Sequence, residues 1–404
     1  MRDPREKRPV SRQTSRAIEE RRQAQLEKAR ESSELARGPM DLPFLVLVIL
    51  LTGIGLVMLL SASFPSAYYE TNGKNPMFYF IRQGVFAIMG IAAMLFISKI
   101  NYQWFRRFAK PLLFVSVILL VFVLIPGVGL VRNNARRWLG IGELTFQPSE
   151  IAKVAIVVYF SDSISKKKGK MRTFRYGILP YALLLVVVAV LVGLEPHLSG
   201  AILIMGAGAV LMLVGGIQWR WVLGAVGAAA GMLYLVLGVI GYNASRIEMW
   251  HNPWADAQGA GYQLSQSLIS IGSGGLLGVG LGRSRQKFLF LPEEHNDFIF
   301  AIVCEELGLI GATMIMLLFA ALILRGYWIA LHARDRFGSL LVVGVITLIA
   351  LQTFLNIAVV TGLLPTTGIS LPFFSYGGTA LSIQLAEMGI VLSVSRQMKP
   401  TKAG

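Results

Sequence analysis

Apolar segments of membrane-spanning length recur along this chain, and they restrict its fold more than any other feature. A helix needs about twenty apolar residues to cross a bilayer, and the sequence contains about ten such segments. They predict an all-α integral membrane protein with about ten transmembrane helices over 41–396, a basic N-terminal tail over 1–40 and a short C-terminal tail over 397–404. The approximate spans are 42–62, 77–98, 108–127, 148–164, 177–194, 198–217, 220–241, 297–324, 338–362 and 374–395.

The composition agrees with a protein that has little mass outside the bilayer. Hydrophobic residues make up 54% of the chain and charged residues only 15%, whereas soluble domains are about one-quarter charged. The net charge of +16 lies mostly in short loops between apolar segments, which is a topology signal and gives no reason to expect a nucleic-acid partner. Cys304 is the single cysteine, so neither a disulfide framework nor a thiolate metal site is expected.

The basic loops orient the predicted helices. Positively charged loops remain on the cytoplasmic side of a membrane. Both termini are therefore predicted to be cytoplasmic, and the long loop between the seventh and eighth spans, 242–296, is predicted to be extracytoplasmic. The cytoplasmic cations are Lys99, Arg106, Arg107, Lys110, Lys166, Lys167, Lys168, Lys170, Arg172, Arg175, Arg325, Arg334, Arg336, Arg396, Lys399 and Lys402.

Several cations lie on the outer side against this bias. Since guanidinium groups match phosphate oxygens, they suggest an anionic ligand such as a lipid phosphate or pyrophosphate. The alternative is that they pair with outer carboxylates or with ordinary lipid headgroups. The cations are Arg132, Arg136, Arg137, Arg246, Arg283, Arg285 and Lys287, and the carboxylates are Glu143, Glu248, Asp256, Glu293 and Glu294.

Two outer segments contain no charged residue but many turn-forming residues. Eight glycines between Gly259 and Gly282 allow tight turns and re-entrant backbone at membrane depth, provided that protein or water satisfies the backbone. The last outer loop, 362–378, contains Ser375 among other hydroxyl groups. Such a loop suits a sugar ligand, and it equally suits the simple closure of a helical hairpin.

The start of the fourth span contains Glu150 and Lys153. Pro148 is suited to a first helical turn, and Glu150 complements the positive end of the helix. Lys153 follows by three residues and can pair with Glu150 across that turn. The pair is either purely structural, or Lys153 faces a cavity and presents its charge to a ligand. Lys153 and Arg82 are both costly against lipid, so both are expected to face the bundle interior.

Asp297 lies where a polar loop meets the apolar eighth span. Either Asn296 or Asp297 would be a good N-cap for that helix. Alternatively, a partly desolvated carboxylate has a raised pKa, which suits a general base. Asp297, Glu293 and Glu294 are also candidate oxygen ligands for a divalent cation, Mg or Mn. Glu305 and Glu306 lie deeper in the same span and must pair or face a cavity.

Several motifs in these stretches are similar to those of the SEDS family (shape, elongation, division, sporulation). They are Leu291-Pro292-Glu293-Glu294-His295-Asn296-Asp297-Phe298-Ile299-Phe300 with Glu305-Glu306-Leu307-Gly308, Arg136-Arg137-Trp138 followed by Gln147-Pro148-Ser149-Glu150, and Leu371-Pro372-Phe373-Phe374-Ser375-Tyr376-Gly377-Gly378. Asn252-Pro253-Trp254 and Ser284-Arg285-Gln286-Lys287 resemble the cell-division and sporulation branch more than the elongation branch.

The resemblance implies a ten-helix peptidoglycan glycosyltransferase of the bacterial cytoplasmic membrane. Such an enzyme polymerises lipid II, an undecaprenyl-pyrophosphate disaccharide-pentapeptide, with a class B penicillin-binding protein and other divisome proteins as partners at the septum. It has no organic cofactor. The family's catalytic aspartate corresponds to Asp297, its important lysine to Lys153 and its arginine motif to Arg136 and Arg137. Glu150, Arg246, Arg285, Lys287, His295 and Ser375 complete the expected substrate-binding set.

One departure from the family pattern concerns the loop between the fifth and sixth spans. The common Gln-Pro-Asp-Leu-Gly motif is Glu195-Pro196-His197-Leu198-Ser199 here, so no role of that aspartate transfers to this chain. Two other functions remain open at this point, a lipid II flippase and a non-catalytic divisome scaffold, because buried charge in a bundle also marks transport paths.

Overall fold

A computed structural model of the chain describes residues 38–132, 135–141, 144–221 and 244–398, together with single positions 23, 223, 224 and 227. Most of the predicted seventh span and nearly all of both predicted tails lie outside these residues. The elements are α1 Leu42–Glu70, α2 Phe78–Ile97, α3 Phe105–Leu124, β1 Leu130–Arg132, β2 Ala135–Ile141, β3 Leu144–Phe146, α4 Pro148–Lys167, α5 Leu179–Leu194, α6 Leu198–Val214, α7 Ala244–His251, α8 Tyr262–Gly274, α9 Ile299–Leu331, α10 Arg336–Val360 and α11 Gly378–Ser395.

The other nine predicted spans coincide with helices. Within the described residues, seven helical segments are long and apolar enough to cross a membrane, namely α1, α2, α9, α10, α11, α3 with the 3-10 turn Tyr102–Trp104 before it, and α5 with the π-helical turn Phe174–Ile178 before it. The two remaining helices differ for clear reasons, since α6 has only 17 residues and the first turns of α4 contain Glu150 and Lys153. The prediction of a helical integral membrane protein is confirmed for the described part of the chain.

α10 is the central helix of the bundle. In its apolar window 72% of the residues are buried, compared with 22% for α2 and α3. It packs against α4, α6, α9 and α11, and apolar residues surround it on all sides, as expected for a helix enclosed by others. The more exposed helices present apolar side chains outward, which suits a lipid environment.

The residues next to the two termini lie at one end of the bundle. Asp41 caps α1 by accepting a hydrogen bond from the Phe44 amide, 2.9 Å away. The same carboxylate forms an ion pair with Arg325 near the end of α9, at 2.8 Å. The Asp41 amide donates to Ser395 Oγ at the end of α11. This arrangement agrees with the predicted topology, in which both termini are on one side.

A small antiparallel sheet at the opposite end was not predicted. β2 lies between β1 and β3, with Val131 paired to Arg136 and Gly140 to Thr145. Three strands of three, seven and three residues replace what the sequence suggested was a simple loop between α3 and α4. The sheet fixes the direction in which the side chains of 136–138 point.

The glycine-rich segment after α8 pairs with a break in α9. The φ of Gly308 is +66°, and a Cβ there would lie 2.3 Å from the Gly278 amide nitrogen, so the break requires glycine. The Val279 amide donates to the Glu305 carbonyl at 2.9 Å, and the Leu309 amide donates to the Gly275 carbonyl at 2.9 Å. These bonds satisfy the backbone groups that the break would otherwise leave unpaired.

Candidate active site

A cavity of about 470 Å³ opens at the sheet end of the bundle. The two stretches that the sequence suggested as halves of one site, 136–153 and 293–297, both line it. Its wall also includes residues of α2, the start of α6 and the loop before α11. The charged lining residues are Arg82, Arg137, Glu150, Lys153, Glu293 and Asp297.

Asp297 is positioned by the loop in front of α9. The Asn356 side-chain amide on α10 donates to the Asp297 carbonyl at 2.7 Å and to the Ile369 carbonyl at 2.6 Å. This residue therefore ties the Asp297 loop to the loop before α11. Gly368 has φ +70°, and a Cβ there would lie 3.2 Å from Asp297 Oδ2. The absence of a side chain at 368 keeps the space beside the carboxylate open.

The interpretation of this stretch as a helix cap is wrong. α9 begins at Ile299, its N-cap residue is Phe298, and no side chain caps it. Asn296 instead donates from Nδ2 to Glu293 Oε2 at 2.5 Å. The Asp297 carboxylate is consequently not used to start the helix, and it lines the cavity.

The environment of Asp297 makes its carboxylate more basic than usual. Burial, followed by the negative charge of Glu293, raises its pKa from 3.8 to about 6. Arg137 and His295 oppose this shift. Asp297 is therefore ionised at neutral pH and is a stronger proton acceptor than an exposed aspartate.

Lys153 and Glu150 form a buried ion pair on α4. Lys153 Nζ is 2.8 Å from Glu150 Oε2, and the two residues lie three positions apart in the first turns of the helix. Both line the cavity, which confirms that Lys153 faces a cavity, and the presentation of its charge to a ligand stays a prediction. The pair removes the cost of placing a lysine in the bundle while the ammonium group remains beside the ligand space.

The two predicted arginines of β2 have different surroundings. Arg137 lines the cavity, and its guanidinium donates from Nε to the Glu195 carbonyl at 3.2 Å and from Nη2 to the Pro196 carbonyl. Arg136 does not line the cavity and donates to the Leu124 carbonyl at the end of α3, at 3.2 Å. Neighbouring residues of a strand point to opposite faces. The expectation that Arg136 lies in the site is corrected accordingly.

Three further predicted residues, Lys287, Arg285 and Ser375, are not among the residues that line the cavity. Lys287 is buried and forms an ion pair with Glu306 at 3.0 Å, and the Arg285 amide donates to Glu305 Oε1 at 2.9 Å while its side chain is exposed. Ser375 Oγ donates to the Asn296 carbonyl at 2.7 Å, so it stabilises the backbone next to Asp297.

His295 and Arg246 complete the predicted set. The His295 ring packs on Tyr79 with centroids 4.5 Å apart, and its Nδ1 is 3.3 Å from Glu294 Oε1. It therefore lies next to the Asp297 loop without lining the cavity. Arg246 lies on α7, and its side chain is outside the described part of the structure.

The proposed metal ligands are only partly brought together. Glu293 and Asp297 line the cavity, but Glu294 is buried and accepts a hydrogen bond from Ser66 on α1. Among the described residues, no group of three or more histidine, cysteine or acidic residues is arranged to hold an ion. Two carboxylates still fit magnesium, which uses one or two of them together with phosphate oxygens of a substrate.

Sequence reasoning missed several residues of the cavity wall. Arg82 was expected only to face the bundle interior, and it lines the cavity. Trp138, Gln147 and His197 also line it. The available signals were the neighbouring arginines for Trp138, the start of α4 for Gln147 and the departure from the family motif for His197.

Comparison with known proteins gives a consistent result. The family described as Cell cycle protein, FTSW_RODA_SPOVE, matches residues 41–400. The probable peptidoglycan glycosyltransferase FtsW of Geobacter metallireducens is 43% identical over 363 residues, which cover 89% of this chain and 96% of that protein. Stage V sporulation protein E of Bacillus subtilis is 44% identical over 358 residues, covering 88% and 97%.

Solved structures with the same architecture extend this comparison. A chain from "Structural coordination of polymerization and crosslinking by a peptidoglycan synthase complex" matches with a TM-score of 0.75 and 28% identity, covering 89% of this chain and 98% of that one. The rod shape determining protein RodA of Thermus thermophilus matches with a TM-score of 0.66 and 27% identity, covering 90% and 99%.

Proposed function

This chain belongs to the FtsW, RodA and SpoVE family, and on that premise we propose that it is a peptidoglycan glycosyltransferase. It polymerises lipid II into glycan strands on the outer face of the cytoplasmic membrane during septal wall synthesis. The observation that supports this most strongly is the cavity in which the ionised Asp297 faces the cations Arg137 and Lys153. A base and a phosphate-binding group are the two requirements of this reaction.

The reaction needs one proton transfer and one leaving group. The 4-hydroxyl oxygen of the acceptor sugar attacks the anomeric carbon of the donor chain, and the hydroxyl proton passes to Asp297. The bond between that carbon and the pyrophosphate oxygen breaks, and undecaprenyl pyrophosphate leaves with the bonding electrons. Arg137 and Lys153 stabilise the negative charge that collects on the leaving group.

The charges of the cavity wall support a divalent cation in the complex. Among the described residues that line it, three cations, Arg82, Arg137 and Lys153, face three carboxylates, Glu150, Glu293 and Asp297. The formal charges of these six residues cancel, so they leave the charge of an entering pyrophosphate uncompensated. A magnesium or manganese ion bound by Glu293 and Asp297 would supply charge neutralisation there.

The partner and location follow from the same premise. A chain of similar fold comes from a complex described as coordinating polymerisation and crosslinking. We therefore propose that this protein works with a class B penicillin-binding protein and other divisome proteins at the division septum. The apolar outer surfaces of α2, α3 and α5 remain in contact with membrane lipids.

Polymerisation of lipid II by the purified protein–partner complex tests this function. Asp297→Asn should lower the rate by at least about 10²-fold, because it removes the base while keeping shape and volume. Asp256→Asn makes the same change at an exposed outer residue and should leave the rate unchanged. Full activity of Asp297→Asn, with normal folding of both variants, would exclude Asp297 as the base.

A transport assay separates the enzyme from a flippase. Fluorescent lipid II in liposomes containing the protein should stay in its original leaflet, whereas detergent-solubilised complex should make glycan. Movement of lipid II that is independent of Asp297, without glycan synthesis in detergent, would instead indicate a flippase.

A further inference from the structure

His197 is a cavity residue that the proposed reaction does not use. It lies in the turn between α5 and α6, and its ring lines the cavity. Nδ1 is 3.0 Å from Gln147 Nε2 and 3.3 Å from Ser149 Oγ. Two side chains next to the start of α4 therefore hold one edge of the imidazole.

The first turn of α6 is shaped to receive this ring. A Cβ on Gly200 would lie 2.6 Å from His197 Nδ1 and 2.7 Å from its Cε1, so any larger residue at 200 would displace the imidazole. Gly200 also lines the cavity. The ring is thus held on its Nδ1 side, and Nε2 makes none of the hydrogen bonds found within the described residues. The Nε2 edge is the edge available to a ligand.

The ring is held in its neutral form. A hydrogen bond from the Gln147 amide to Nδ1 leaves the proton on Nε2, so this nitrogen is a donor. Burial, together with the charges of Arg137 and Lys153, lowers the pKa of His197 to about 3. An uncharged donor of this kind suits the neutral oxygen of a sugar.

Several other cavity residues are uncharged. Thr145, Gln147 and Ser199 line the cavity with hydroxyl and amide groups. Trp138 lines it as well and adds an aromatic ring face. Together with His197 these side chains form a wall with hydrogen-bonding groups and an aromatic surface but no charge. We call this set the neutral wall.

We propose that the neutral wall binds the carbohydrate part of the substrate and that His197 Nε2 donates to a sugar hydroxyl or acetamido oxygen. This assignment rests on the proposed function and adds a division of the cavity to it. The cations Arg82, Arg137 and Lys153 take the pyrophosphate, and the neutral wall takes the sugar.

Equilibrium binding of two probes tests the division. Lipid II contains the sugars, and undecaprenyl pyrophosphate lacks them. His197→Leu should weaken lipid II binding by about threefold to tenfold, the range expected for one lost neutral hydrogen bond, and should leave undecaprenyl pyrophosphate binding unchanged. His197→Gln places an amide N–H near the position of Nε2, and it should recover most of the lipid II affinity. Lys153→Gln should weaken both probes.

Control variants distinguish the loss of a sugar contact from a general disturbance of the fold. His332→Leu removes an exposed histidine at the far end of α9 and should change neither affinity. Equal weakening of both probes by His197→Leu, no weakening of either, or a His197→Gln variant as impaired as His197→Leu would each overturn the proposal. Because binding is measured without turnover, a protein that binds lipid II through His197 but makes no glycan would refute the proposed function and leave this inference standing.

Discussion

The buried ion pair between Lys287 and Glu306 allows a quantitative test of how the outer loop is attached to the bundle. Nζ and Oε1 are 3.0 Å apart, and the two side chains are 5% and 0% exposed. At an effective dielectric constant of about 20, two charges at this distance attract by roughly 5 kcal/mol. Desolvation offsets much of this energy, so the pair as a whole contributes little to the free energy of unfolding. Breaking the pair is costly, because it leaves one buried charge without its partner.

Lys287→Met should therefore lower the free energy of unfolding by about 3 kcal/mol, near the lower end of the range for broken buried pairs. The lower end is expected because Glu306 keeps two other donors, Ser61 Oγ at 2.7 Å and the Ser284 amide at 3.2 Å. The double variant Lys287→Met with Glu306→Gln should lose less free energy of unfolding than the two single variants lose together, by at least about 1 kcal/mol.

Reversible unfolding in mixed detergent micelles, followed by circular dichroism, measures these differences. Lys166→Met is the matched control, because Lys166 pairs with Asp162 at 2.6 Å but has 62% of its side chain exposed. That variant should lower the free energy of unfolding by less than about 1 kcal/mol. Strictly additive losses in free energy of unfolding at 287 and 306 would refute the reasoning. It would also be refuted if Lys287→Met and Lys166→Met lowered the free energy of unfolding equally.

The site itself supports three further predictions. At constant divalent-cation concentration, kcat/KM should fall as the pH drops through about 6, to about one-tenth of its plateau at pH 5, because Asp297 must be ionised. Glu293→Gln should move that midpoint to lower pH by removing a like charge, and an unmoved midpoint would contradict the assignment. Arg137→Gln should reduce polymerisation by at least about tenfold, whereas Arg136→Gln should mainly lower thermal stability. Similar losses of activity in the two variants would contradict the conclusion that only Arg137 faces the cavity. Gly308→Ala should destabilise the folded protein in thermal unfolding by at least about 1 kcal/mol, since its positive φ strains any side chain, and an unchanged melting temperature would count against the pairing of the outer loop with α9.

The helices were predictable because lipid imposes a simple rule on sequence. A spanning helix must be apolar over about twenty residues, and this rule located nine spans within several residues of their observed bounds. The sheet was missed because β1 and β3 have only three residues each, and their pairing depends on contacts that no local pattern reveals.

The sequence identified those site residues whose burial as ionised groups is energetically costly. It did not identify the orientation of residues that depends on the three-dimensional structure. Asp297 and Lys153 stood out because ionised groups near or within a bundle need a reason. Arg136 and Arg137 could not be told apart, because which of them faces the cavity depends on the phase of a strand that was not foreseen. Lys287 was expected to bind the ligand, and instead it compensates Glu306, a carboxylate inside the next helix.

Two backbone carbonyls help to hold Arg137 in place. Its guanidinium donates to the carbonyls of Glu195 and Pro196, and every amino acid at those positions offers the same acceptor. Substitutions in this turn can therefore change the chemistry of the cavity wall without releasing the arginine. This decoupling gives a physical reason why a turn that is Gln-Pro-Asp in the family motif can be Glu-Pro-His here. Sequence change at 197 can therefore adjust the proposed sugar contacts, while Arg137, the proposed phosphate-binding group, stays fixed.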